Sequence, residues 1–127
     1  MILSRRVLIV DDEDDIRDVV QVSLEEFAGW STEVAASGEA GLKLAAEFAV
    51  DAILLDISMP DMDGFQFCEA LQANPRTQQI PVIVLTAKVL PSDRQRLTDL
   101  DVAGVITKPF DPLTIWKHIA EILNWIV

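Results

Sequence analysis

Cysteine is almost missing from this sequence. Cys68 stands alone, which excludes a disulfide framework and a thiol-based metal site. A single cysteine on a helical stretch reads as a small core residue. Positive charge is scarce as well: ten Lys and Arg stand against 21 Asp and Glu, a formal net charge of −11. That balance repels a nucleic-acid backbone and an anionic membrane surface, and attracts a divalent cation or a basic protein patch. No apolar run approaches the ~18 residues of a membrane span. Arg5 and Arg6 before Val7–Val10 imitate the start of a signal peptide, but the run breaks into Asp11-Asp12-Glu13-Asp14-Asp15. The expectation is a cytoplasmic protein. Linkers, low-complexity stretches and internal repeats are also lacking, so residues 1–127 read as one domain. Half of them are hydrophobic, enough for a full core.

What is present is a regular alternation. Short apolar or β-branched runs at Val7–Val10, Thr32–Ala36, Ala52–Leu55, Pro81–Leu85 and Gly104–Thr107 predict five buried strands. Helical spacing follows each of them. Ile16, Val19, Val20, Ser23, Leu24 and Phe27 make a stripe ended by Gly29. Ser37 is placed to cap a second helix with Gly41, Leu42, Ala45, Phe48 and Ala49 inward. Phe65, Cys68, Leu71 and Gln72 suggest a third helix, stopped by Asn74-Pro75. Pro91 opens a short fourth helix through about Leu100, and Asp111-Pro112 is a cap and first-turn pair for the fifth. Five strands alternating with five helices imply a parallel sheet, covered on both faces and joined by right-handed crossovers.

In such a sheet, ligands collect beyond the carboxyl ends of the strands. Asp11 and Asp12 follow the first strand, Asp56 the third, Thr86 the fourth and Lys108 the fifth. Residues nearly a hundred positions apart therefore share one edge. Glu13, Asp14 and Asp15 suit the start of a helix, whereas Asp11 and Asp12 exceed what capping needs and repel one another unless a cation sits between them. Three carboxylates at one point favour a hard, oxygen-seeking cation such as Mg²⁺. A hydroxyl and an ammonium beside them suit a phosphoryl group. Together these are the parts of phosphoryl transfer onto an aspartate.

The pieces Val10-Asp11-Asp12, Leu55 to Gly64, Leu85-Thr86-Ala87 and Thr107-Lys108-Pro109-Phe110, in this order and spacing, resemble the receiver domain of two-component response regulators. The resemblance covers essentially the whole chain. It implies a flavodoxin-like, doubly wound α/β fold with strand order 2-1-3-4-5. It implies that a histidine kinase or a histidine phosphotransfer protein donates its phosphoryl group to Asp56. Mg²⁺ would be held by Asp12, Asp56 and the backbone carbonyl of Ser58, with Asp11 assisting through water. Thr86 and Lys108 would take the phosphoryl oxygens, and the Lys108–Pro109 peptide would be cis. Ser58 and Lys88 stand at positions that flank the path of the hydrolytic water in this family. The family commonly carries an aromatic switch three residues before the lysine; here that position is Val105, which has no ring to swing.

Two other readings use similar parts. A haloacid-dehalogenase-type phosphatase also has a strand-end aspartate and Mg²⁺, but needs an acid two residues later, where this chain has Ser58. A flavin module needs a Gly/Ser/Thr-rich phosphate loop after the first strand, where five acids would repel it. The expected protein is a phosphoacceptor switch, not a conventional enzyme. It is expected to be stand-alone, to act through protein partners or self-association, and to bind neither nucleic acid nor membrane. The surface of the fourth helix, fifth strand and fifth helix is the expected output face. Trp125, placed by the helical wheel outside the apolar arc of the last helix, is its expected exposed anchor.

Overall fold

The computed structural model describes residues 4–87 and 90–125. Its elements alternate as the apolar pattern requires: β1 (Arg6–Val10), α1 (Asp14–Ser23), β2 (Ser31–Ala35), α2 (Gly38–Glu47), β3 (Ala52–Leu55), α3 (Gly64–Ala73), β4 (Val82–Thr86), α4 (Pro91–Asp99), β5 (Gly104–Thr107) and α5 (Ile115–Leu123). The five strands are parallel, in the order β2-β1-β3-β4-β5. This is the flavodoxin-like doubly wound arrangement. Among the described residues, no helix is long and apolar enough to cross a membrane.

Period-two alternation divides the core. Val7, Ile9, Leu54, Ile83, Leu85 and Ile106 point to one face, where they meet Val20, Leu24, Trp30, Ile115 and Ile119. Leu8, Val10, Ile53, Leu55 and Val82 point to the other, against Ala45, Phe67, Cys68 and Leu71. A smaller cluster of Ile57, Phe65, Val84 and Leu97 lies beside the second group. On that second face α2 comes very close to β1. A Cβ added at Gly41 would lie 2.8 Å from a Val10 methyl and 3.0 Å from the Phe67 ring.

Local chemistry explains several helix ends. The Ser37 side chain accepts from the Ala40 N–H, and Asp63 with Gln66 forms a reciprocal capping box at the start of α3. Gly29, at φ 71°, ends the first helical stretch in the left-handed region that a residue without Cβ adopts freely.

Three helical stripes differ from expectation. α1 runs into a π-helical turn, Leu24–Ala28. Its wider winding carries Phe27 off the buried stripe, so Phe27 is 50% exposed while Trp30 fills the core. Val19, on the stripe's border, is also exposed. α2 stops at Glu47, and Phe48 and Ala49 lie outward; the Arg6 guanidinium covers the Phe48 ring at 5.7 Å. Gln72 is exposed, and its amide donates to the Leu100 carbonyl at 2.5 Å, tying α3 to the end of α4. At the last helix Asp111 caps a separate preceding turn, where its side chain accepts from Leu113 N–H, and α5 begins only at Ile115.

The expectation of an exposed Trp125 is corrected. Its ring is half-buried and packs edge-on against Trp30, centroids 5.2 Å apart, with the Arg5 guanidinium 4.6 Å from its centre. The helical wheel put it outside the apolar arc of the last helix. But the chain leaves the helix through Asn124 in the left-handed region, where the wheel no longer holds, and the indole turns back onto the core cluster of Trp30.

Candidate functional site at the carboxyl edge of the sheet

Strand register brings the acids together. Val10 pairs with Leu55, so Asp11 and Asp56 leave adjacent strands at the same level. Their backbones stay in the ladder for one more bond each: Asp11 N–H donates to Ala35 carbonyl and Asp56 N–H to Val10 carbonyl. Thr86 pairs with Thr107, which places Lys108 one step past the end of the same edge. Ligand atoms of Asp11, Asp12 and Asp56 lie within 4.8 Å of one another. Asp11 and Asp56 are buried and Asp12 is exposed, so the group opens to solvent on one side.

The cluster is only partly neutralised. Lys108, with its side chain 13% exposed, sets its Nζ 3.1 Å from Asp11 Oδ2 and 3.8 Å from Asp56 Oδ2. Asp56 Oδ1 accepts from the Ser58 N–H at 3.0 Å. Burial nevertheless pushes the Asp56 carboxyl above its usual 3.8. The Ser58 N–H and Lys108 pull it down, while Asp11 and Asp12 push it further up. A buried carboxylate crowded by two others is a site that a divalent cation would relieve. An all-oxygen, all-carboxylate donor set suits a hard ion. The thiol of Cys68, pushed up to about 11 chiefly by burial, offers no competing chemistry.

The expected residues fall as follows. Asp11, Asp12, Asp56 and Lys108 converge. Thr86 is buried at the end of β4, its carbonyl accepting from Lys108 N–H at 2.8 Å. The Lys108–Pro109 peptide is cis. Ser58 is exposed beside Asp56. Val105 is exposed on β5, the edge strand, between two clefts of about 390 and 430 Å³. Lys88 lies outside the described residues. Trp125, on the Trp30 side of α5, is absent from the lining of both clefts.

Helix capping by the acidic run differs in detail from expectation. Glu13 occupies the N-cap position without a side-chain cap bond, and its own N–H donates to Asp11 Oδ1 at 2.9 Å. Sequence reading missed Arg17. Its Nη1 donates to the Asp11 carbonyl at 2.7 Å and its Nη2 to Asp14. The available signal was a cation early in a helix, where the dipole disfavours it.

Residues 7–120 match the response regulator receiver domain family. The chain is 40% identical over 119 residues, 94% of its length, to the DNA-binding dual master transcriptional regulator RpaA of Synechocystis sp., of which it covers 49%. It is 35% identical over 124 residues, 97% of its length, to the response regulator PleD of Caulobacter vibrioides, of which it covers 27%. It thus spans about half the length, or less, of these curated relatives. Among solved structures, chemotaxis protein CheY4 of Vibrio cholerae superposes with a TM-score of 0.88 at 32% identity, covering 94% of this chain and 99% of that one. These relatives lend no support to the haloacid-dehalogenase alternative.

Proposed function

The chain belongs to the response regulator receiver family, and from that premise we propose that Asp56 is its phosphoacceptor and that Asp11, Asp12 and Asp56 hold the Mg²⁺ it requires. Receiver domains work with histidine kinases or phosphotransfer proteins. The observation that carries the assignment is the convergence of three carboxylates within 4.8 Å, with Lys108 Nζ 3.8 Å from Asp56.

The residues divide the work. An Asp56 carboxylate oxygen attacks phosphorus and the phosphorus–nitrogen bond of a phosphohistidine breaks, leaving an acyl phosphate. Hydrogen bonding by Ser58 N–H fixes the carboxylate through Oδ1, which leaves Oδ2, the oxygen nearer Lys108, to react. The Lys108 ammonium and the Thr86 hydroxyl are the donors for the phosphoryl oxygens as charge builds on them. Asp12, Asp56 and the Ser58 carbonyl would coordinate Mg²⁺, with Asp11 assisting through water; bound there, the ion supplies neutralisation of carboxylate and phosphoryl charge. Such a molecule is a switch that catalyses its own modification. Ser58 and Lys88 are proposed modulators of how long it lasts.

For output, we propose the surface of α4, β5 and α5. The clefts on either side of Val105 support this: one is lined by Phe110, His118, Glu121 and Ile122, the other by Arg94, Leu97, Thr98 and Val102. Without a ring at position 105, movement of the helices themselves must carry the signal.

Incubation with acetyl phosphate tests the acceptor reading. One phosphoryl group per chain should appear by intact mass, only when Mg²⁺ is present and only while Asp56 is intact. Incorporation that persists in EDTA overturns the Mg²⁺ assignment.

A further inference from the structure

Arg17 grips the peptide unit that joins Asp11 to Asp12. Its Nη1 donates to the Asp11 carbonyl at 2.7 Å, and that carbonyl belongs to the Asp11–Asp12 peptide bond. Resting on the reading of Asp11, Asp12 and Asp56 as the Mg²⁺ site, we propose that Arg17 is a positioning residue of that site. It fixes the plane of this peptide, so that the exposed Asp12 is presented beside buried Asp11 and Asp56.

The ion pair with Asp14 does not account for Arg17. Asp14 is 83% exposed on its side chain, and such a pair contributes little in water. Arg17 itself is only 16% exposed, laid back along the first turn of α1. There the helix dipole disfavours a cation. A charge-assisted bond to a carbonyl at the site offsets that penalty, and the planar fork reaches Asp11 and Asp14 together.

Asp11 shows what the grip adds. Its N–H is held by the Ala35 carbonyl, its Oδ1 by Glu13 N–H and its Oδ2 by Lys108. The first and last of these hold the strand behind Asp11 and its side chain, and the Glu13 bond ties that side chain to the backbone two residues on. The direction in which the chain continues to Asp12 depends on rotation about the Asp11 Cα–C bond, and the Arg17 contact is made on the far side of that bond. Releasing it leaves the Asp11–Asp12 peptide held on that side by the Glu13 bond alone, with Asp11 and Asp56 still in place.

The sign of the effect separates positioning from simple electrostatics. As a mere nearby charge, Arg17 repels a cation, and its removal should tighten Mg²⁺ binding. As a positioning residue, its removal should weaken binding, by about ten-fold, the scale on which loss of supporting contacts acts at metal sites.

The test is a Mg²⁺ titration followed through the amide shifts of residues 11, 12 and 56 in wild type, Arg17→Ala and Arg17→Lys, with thermal unfolding of each recorded in EDTA. The Ala variant should bind about ten-fold more weakly, and the Lys variant, which keeps the charge and loses the fork, should fall between. Affinity that is unchanged or tighter in Arg17→Ala overturns the proposal, whatever happens to the unfolding temperature. Should Arg17→Ala not fold, Arg17→Lys decides: weaker binding supports the role and wild-type affinity overturns it. Wild type that shows no Mg²⁺ shifts at the three aspartates overturns the site reading itself, a failure distinct from that of Arg17.

Discussion

Lys108 stands closer to Asp11, 3.1 Å from Oδ2, than to Asp56, 3.8 Å away. The lysine therefore neutralises the neighbouring acid first, and the phosphoacceptor of the proposed reaction stays under-compensated. In the proposed reaction, that division of one cation between two carboxylates leaves a place for a second cation and an acceptor ready to react.

Removing the lysine should act in opposite directions on binding and on rate. In Lys108→Ala the carboxylates no longer share an ammonium, so Mg²⁺ should bind several-fold more tightly in the same amide-shift titration. Phosphorylation by acetyl phosphate at saturating Mg²⁺ should slow by about 100-fold, the scale of losing one preorganised donor to a developing anion. Faster or unchanged phosphorylation contradicts the role given to Lys108.

Asp56 should make stability depend on pH. Its folded pKa is raised above 3.8, so the folded chain holds a proton that the unfolded chain has released between 3.8 and the raised value. Stability from this group falls as pH rises through that window and is lowest once Asp56 is ionised. In EDTA, Asp56→Asn should therefore unfold at a higher temperature than wild type at pH 7, and the advantage should shrink as pH falls toward 3.8. Thermal scans across that range check it; a gap that does not vary with pH contradicts it.

The two indoles give a prediction about folding, not association. Trp125 packs on Trp30 and under Arg5, so Trp125→Ala should cost about 2 kcal/mol in urea unfolding, less than a fully buried aromatic would. Phosphorylation of Asp56 should be unchanged. Wild-type stability in the variant contradicts the packing described.

Much of this was legible in the residues, for reasons that differ by element. Four-residue apolar runs such as Ala52–Leu55, bounded by turn signals and too short for a helix, read as buried strands, and alternation with helices then points to a parallel sheet. That places Asp56, Asp11 and Lys108 on one edge without any knowledge of contacts. Phe27 was misplaced because a π-helical turn has no periodic signature, and Phe48 because the helix ended at Glu47, two residues short of its apolar pattern. Trp125 was misread because a helical wheel says nothing of a residue beyond the last turn. Arg17 went unseen because its partner is a backbone carbonyl, and every residue carries one.

Gly64 should prove intolerant of a side chain. A Cβ there would lie 2.6 Å from the Ile57 Cα, where the loop after Asp56 closes through Gly64 N–H to the Ile57 carbonyl. Gly64→Ala should destabilise the fold by about 1–3 kcal/mol and move the amide shift of Ser58. Urea unfolding and a single amide spectrum check both; an unmoved Ser58 contradicts the coupling of this loop to the site.

The most direct measurement locates the phosphoryl group. Protein phosphorylated by acetyl phosphate with Mg²⁺, then reduced with borohydride, carries homoserine in place of the modified aspartate, and peptide mass spectrometry reads its position. The account predicts homoserine at residue 56 alone, and none in Asp56→Asn. Homoserine at residue 11 or 12, or undiminished modification of Asp56→Asn, would contradict it.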